Sequence, residues 1–166
     1  CLHYQPLVNL TTGAVLGVEA LLRWNHPVRG LVAPLSFIPL AEETGLINAL
    51  GARVLSESCD QFMRWRATLG DAAPTSVAVN LSAAQFRGAK DLVQVVREAL
   101  AAAGLPAERL ELEITESLLM SGTDAVVRTL TALSALGAQI AIDDFGTGYS
   151  SLAYLWRFPF DKVKID

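Results

Sequence analysis

The sequence predicts an α/β fold in which mostly parallel strands alternate with helices around a barrel. Three observations carry this. Apolar runs of strand length at 76–80, 110–115, 139–143 and 162–166 are set far enough apart for crossover connections. A segment with apolar residues at three- and four-residue intervals precedes each of the first three runs. Each run also sorts polar side chains to one face and aliphatic ones to the other. An open parallel sheet needs apolar cover on both faces, whereas a barrel has one face against helices and an interior whose mouth can hold polar groups. With 166 residues, 52% hydrophobic and 18% charged, the chain has the size and composition of a single domain spanning 1–166. Such a chain buries roughly 70% of its unfolded surface.

Taken in order, residues 4–10 and 14–22 read as two strands joined by a tight turn at 11–13, so the opening pair is antiparallel. A helix follows at 46–69, its stripe formed by Leu50, Val54, Leu55, Phe62 and Trp65, and Gly70 ends it. After the strand at 76–80, a helix at 91–103 carries Leu92, Val93, Val96 and Leu100 and stops at Gly104 and Pro106. The strand at 110–115 leads to a helix at 123–136 whose buried face is Val126, Val127, Leu130, Leu133 and Leu136. Strands at 139–143 and 162–166 complete the pattern.

The polar faces converge. Glu19, Asn80, Glu113, Asp143, Asp144 and Lys164 all fall at or near the C-terminal ends of strands, where barrels of this kind build their sites. A purely structural ion-pair network accounts poorly for the set, because several carboxylates around one lysine leave unpaired buried charge costing several kcal/mol each. Divalent cations resolve the excess, and ligands restricted to oxygen favour Mg²⁺ or Mn²⁺, with Ca²⁺ open, over zinc. Adjacent Asp143 and Asp144 suit two ions, with Asp143 bridging them.

A phosphate near so acidic a site is repelled by about 4 kcal/mol per close pair at intermediate dielectric, so an anionic substrate has to be held through metals. Two ions form a clamp for in-line phosphodiester hydrolysis and acidify a water molecule. Lys164 is then placed to orient that water, and the forked donors of Arg23 to grip a phosphate oxygen. The segment 144–151, with two glycines directly after a strand, reads as a loop over the mouth. Its DFG triplet comes without a glycine-rich ATP loop, a VAIK lysine or an HRD segment, which excludes a kinase. Glu116 fits either a helix start or an anchor accepting backbone N–H groups of that loop.

Other residues read as structural. His3 and His26 lie far from any triad-like pattern, Glu42 and Glu43 form a solvated helix face, and Trp24, Trp65 and Trp156 are packing residues. A net charge of -4 gives no sequence-wide field for a nucleic acid polymer or an anionic membrane. No apolar run reaches the roughly 18 residues of a membrane span. Two cysteines, Cys1 and Cys59, suit a reducing cytoplasm, with inner-membrane anchoring of a longer parent left open.

Glu19, Ala20 and Leu21, continued by Leu22, Arg23 and Trp24, resemble the signature of the EAL domain family. So, in order, do YQP at 4–6, FIPLAE at 37–42, VNLS at 79–82, ELEITES at 111–117, DDFGTGYSSL at 143–152 and KID at 164–166. The resemblance implies a modified TIM (β/α)8 barrel with an antiparallel first strand, hydrolysing cyclic di-GMP to linear pGpG with Mg²⁺ or Mn²⁺. It implies that Glu19, Asn80, Glu113 and Asp143 hold the first metal, that Asp143 and Asp144 engage the second, and that Lys164 positions the attacking water. Gln5 and Arg23 are implied as ligand contacts and Glu116 as the loop anchor. A homodimer and upstream GGDEF or sensory domains are also expected of the complete protein. A full barrel takes about 250 residues. The chain is therefore expected to supply about the first six strands, to lack the C-terminal part of the domain, and to turn over little by itself. Two other readings stay open: an inactive EAL domain serving as a cyclic di-GMP receptor, and a Schiff-base aldolase using Lys164.

Overall fold

The computed structural model describes residues 1–87, 91–120, 124–146 and 157–165. Strands β1 (Leu2–Val8) and β2 (Val15–Leu22) form the antiparallel opening pair. Asn9 shapes their turn, its Oδ1 accepting from the backbone N–H groups of Thr11 (2.9 Å) and Thr12 (3.0 Å). A short hairpin, β3 (Trp24–His26) and β4 (Gly30–Val32), comes next. Its strands are too short to show alternation in sequence, and the His26 ring closes its turn by accepting from the N–H groups of Val28 and Arg29.

Helices α1 (Ile38–Glu43) and α2 (Leu46–Leu69) lead into β5 (Ser76–Asn80). Then come α3 (Leu92–Ala103), β6 (Leu110–Thr115), α4 (Glu116–Met120), α5 (Asp124–Ala135), β7 (Gln139–Phe145) and β8 (Lys162–Ile165). Asp91 caps α3, its carboxylate accepting from the Val93 N–H at 2.9 Å, and Gly104 ends that helix at a φ of 66°, where a side chain would be strained. The expected helix start at Thr123, the strand end at Asp166, Trp156 and the loop segment 147–151 lie outside the described residues.

The main sheet has the order β1-β2-β5-β6-β7-β8, with every pairing after the first parallel. It is the six-stranded part of a barrel, as expected. One face packs on the helices: Val77, Val79, Leu112, Ile114, Ile140 and Ile142 are buried in one core with Leu55, Phe62, Val96, Leu130 and Leu133. Alternation then sends Glu111, Glu113 and their neighbours to the opposite face, so the core that fixes strand register also fixes where the polar groups meet.

Glu42 and Glu43 are both exposed, as expected of a solvated helix face, and the Glu42 carboxylate also accepts from the Ser82 hydroxyl. Trp65 packs edge-on against Tyr4 with ring centroids 4.8 Å apart, whereas Trp24 stays 43% exposed beside His26 and Phe37. Trp24 belongs to the β3–β4 hairpin, whose three-residue strands are too short for alternation to reveal.

Candidate metal centre

Register brings the polar residues together. Asn80 of β5 is the lateral partner of Glu113 on β6, Thr115 is the partner of Asp143 on β7, and Gln5 of β1 lies opposite Glu19 on β2. Carboxylate oxygens of Glu19, Glu113 and Asp143 all lie within 4.8 Å of one another. Lys164 reaches across from β8 to all three: its Nζ is 2.8 Å from Glu113 Oε1, 3.2 Å from Glu19 Oε2 and 3.4 Å from Asp143 Oδ1. Asn80 Nδ2 donates to the remaining oxygen, Glu19 Oε1, at 2.8 Å.

Three carboxylates thus share one ammonium. Glu113 is fully buried, and its Oε2 has no hydrogen-bond partner among the described residues. Burial pushes its carboxyl up to about 7, the Lys164 hydrogen bond only partly opposing this and the Glu19 charge adding to it. Burial alone would lower the Lys164 ammonium, but its hydrogen bond to Glu113 and the charges of Glu113, Glu19 and Asp143 outweigh that and raise it. An orphaned buried oxygen at the centre of a clustered, oxygen-only donor set fits a hard divalent cation.

The end of β7 is irregular. Ala141 pairs with Lys162 and Ile142 with Val163, yet Phe145 pairs with Ile165, so β7 carries one extra residue there. Asp144 sits at a φ of 55°, the one non-glycine residue at positive φ among those described. Aspartate tolerates this region better than most residues, at a cost of about 1 kcal/mol. A bulge at a strand end re-aims its side chains. Asp143 joins the cluster, while exposed Asp144 lies outside the group within 4.8 Å.

Glu116 opens α4 and also reaches the residue just after β7, its Oε2 accepting from the Gly146 N–H at 2.9 Å. Gln5 is exposed on β1. Arg23 follows β2, with Nη1 donating to the Leu22 carbonyl at 2.9 Å; among the described residues the ion pairs to Glu19, Glu113 and Asp143 come from Lys164. A second polar tier lies beneath the cluster, where Lys162 donates to buried Glu111. Beside Asn80 and Thr115 a cleft of about 440 Å³ opens, walled by Leu35, Ile38, Pro39 and Ile47. Sequence reading placed Ser82 in the VNLS motif without a role and passed over Gly51 and Gln85, all of which pack around the turn after Asn80. The signal was present only in part: a glutamine three residues after Ser82 is the spacing of a local side-chain-to-backbone bond.

This geometry coincides with a family match over the whole chain: the model of the EAL domain fits residues 1–166. The chain belongs to the EAL domain family. Among its relatives is the bifunctional diguanylate cyclase/cyclic di-GMP phosphodiesterase MucR of Pseudomonas aeruginosa, 53% identical over 165 residues, covering 99% of this chain and 24% of MucR. The cyclic di-GMP phosphodiesterase NbdA of the same organism is 47% identical, over 99% of this chain and 21% of NbdA. The solved MucR phosphodiesterase, a c-di-GMP complex, superimposes with a TM-score of 0.92 at 52% identity, covering 100% of this chain and 66% of that one. A manganese/cy-diGMP complex of Klebsiella pneumoniae BlrP1 matches with a TM-score of 0.80 at 30% identity, over 99% of this chain and 39% of that one. This EAL chain therefore spans about a fifth to a quarter of the curated relatives it matches first. No helix among its described residues is long and apolar enough to cross a membrane.

Proposed function

We propose that residues 1–166 are the first six strands of a cyclic di-GMP phosphodiesterase domain whose further strands complete the barrel, and that the acidic group at the strand ends is its metal centre. The observation that carries this is the Glu19, Glu113 and Asp143 cluster with an orphaned oxygen on Glu113. The MucR, NbdA and BlrP1 likenesses support the substrate and a divalent ion, and the donor set suits Mg²⁺ and Mn²⁺ alike.

Glu19, Asn80, Glu113 and Asp143 would hold the first ion, and Asp143 with Asp144 would engage a second. What Mg²⁺ or Mn²⁺ supplies when bound is counter-charge for the phosphodiester and acidification of the attacking water. Asn80 fixes the orientation of Glu19 through their hydrogen bond. Lys164, held charged by its three carboxylate neighbours, orients the water that attacks phosphorus. The apolar cleft beside Asn80 accepts a guanine ring while the phosphate faces the cluster. Gln5 borders the substrate from β1. Arg23 spends one Nη1 donor on the Leu22 carbonyl, which leaves the other donors of its fork for a phosphate oxygen. The two unpaired thiols, Cys1 and Cys59, fit a reducing cytoplasm.

The test is chromatography of cyclic di-GMP incubated with the full-length protein and Mn²⁺, with and without chelator. Linear pGpG is expected to appear and chelation to stop it; intact ligand bound by folded protein would replace the enzyme with a receptor. A second expectation concerns the loop. Glu116→Ala frees the Gly146 N–H, and loss of this anchor is expected to lower turnover about 10-fold to 100-fold, as for supports of metal ligands. Glu116→Gln, which keeps an acceptor, should retain most activity; equal rates in both variants and the wild type would remove the anchor role.

A further inference from the structure

We infer that Gln85, seated against Gly51, is a positioning residue for the Asn80 and Glu113 side of the metal centre. Gln85 follows Asn80 by one tight turn and is 5% exposed, which is unusual for a glutamine. Its Oε1 accepts from the Ser82 N–H at 2.9 Å and its own N–H donates to the Ser82 carbonyl at 3.0 Å, closing a turn from Ser82 to Gln85 that starts two residues after Asn80. The Ser82 hydroxyl accepts from the Ala84 N–H at 3.0 Å and donates to Glu42 on α1. Just before this turn the Leu81 N–H donates to the Glu113 carbonyl at 2.8 Å, tying β5 to β6 at the level where both supply site residues. One short segment therefore sets the backbone on which Asn80 and Glu113 stand.

The bond to Ser82 holds Gln85, and an absent side chain makes the room for its amide. A Cβ on Gly51 of α2 would lie 2.2 Å from Gln85 Nε2 and 2.8 Å from its Cδ. Gly51 has no conformational need to be glycine, because it lies inside a helix, where glycine is disfavoured. Its use is to leave room for the Gln85 amide. The helix that covers the barrel thereby braces the turn, the turn fixes Asn80, and Asn80 orients Glu19. Bonds that orient metal ligands from behind typically change metal affinity or activity 10-fold to 100-fold when removed.

This inference rests on the metal-centre reading. The experiment is Mn²⁺ titration calorimetry and thermal melting on the full-length protein as wild type, Gly51→Ala, Gln85→Leu and the double variant. Each single change is expected to weaken Mn²⁺ binding about 10-fold, and the double variant to be no weaker than either single, because both act through one contact. Gly51→Ala regains helix propensity, so its melting temperature is expected to stay close to the wild type while its affinity drops. Singles that lower the melting temperature yet leave Mn²⁺ affinity within about twofold, or effects that multiply in the double variant, would overturn the positioning role. If Gln85→Leu fails to fold, Gly51→Ala carries the decision alone. A wild type that binds no Mn²⁺ would remove the metal centre and this inference together.

Discussion

Glu113→Gln is expected to reduce cyclic di-GMP turnover by the full-length protein by at least about 100-fold and, in the metal-free state, to raise its melting temperature. The opposite signs share one cause. Glu113 is fully buried, shares Lys164 with two other carboxylates and leaves Oε2 without a partner, so its charge opposes folding until a cation is present. Neutralising it relieves about 1 to 2 kcal/mol of that cost. It also deletes a charged ligand, whose loss should exceed the 10-fold to 100-fold typical of the groups that merely support ligands. The pH dependence follows the same logic. With the folded carboxyl pushed up to about 7 from a reference near 4.5, the native metal-free protein holds a proton that the unfolded chain releases. This group's contribution to stability therefore falls as pH rises between about 4.5 and about 7. Mn²⁺ binds the ionised form and inverts that slope, and Glu113→Gln removes it. Melting curves from pH 4.5 to 7.5, with and without Mn²⁺, check all three; an identical slope in wild type and variant would detach the shift from Glu113.

The elements legible in sequence were those whose pattern is long enough to repeat. Helix α2 runs from Leu46 to Leu69 as its apolar spacing predicts, and β5 and β6 begin and end where alternation places them. The same alternation identified Glu19, Asn80, Glu113 and Asp143 as neighbours, because strands of a barrel can aim a shared face only at one interior. The three-residue strands β3 and β4 carry too little pattern to be read, and with them went the exposure of Trp24.

The bulge at Asp143 and Asp144 was illegible for a different reason. A β-bulge is a mismatch between two strands, visible only when the pairing of β7 with β8 is known. Gly51 and Gln85 pose the same difficulty across a larger gap, since a helix glycine has a packing meaning only once its neighbour on another element is identified. For Arg23, residue type gives the fork that suits a phosphate, and only the structure shows that one of its donors is already spent on the Leu22 carbonyl.

Lys164→Met separates the water-positioning role from the structural one. Loss of a group that orients or activates the nucleophile is expected to lower kcat by about 10²-fold to 10⁴-fold. Unlike loss of Glu113, it leaves every proposed oxygen ligand in place and removes a positive charge that a cation must otherwise oppose. Mn²⁺ affinity is therefore expected to hold or rise as activity collapses. The metal-free protein should suffer most: Glu19, Glu113 and Asp143 lose their shared counter-charge, a change of about 3 kcal/mol for a partly buried network. A divalent ion at about a hundredfold excess over its dissociation constant returns about 3 kcal/mol by mass action. Melting temperature should accordingly become strongly metal-dependent in Lys164→Met, more so than in the wild type, while the catalytic defect persists at saturating Mn²⁺. Recovery of turnover together with stability would mean that Lys164 serves only to neutralise the cluster, and the water would then need another group to orient it.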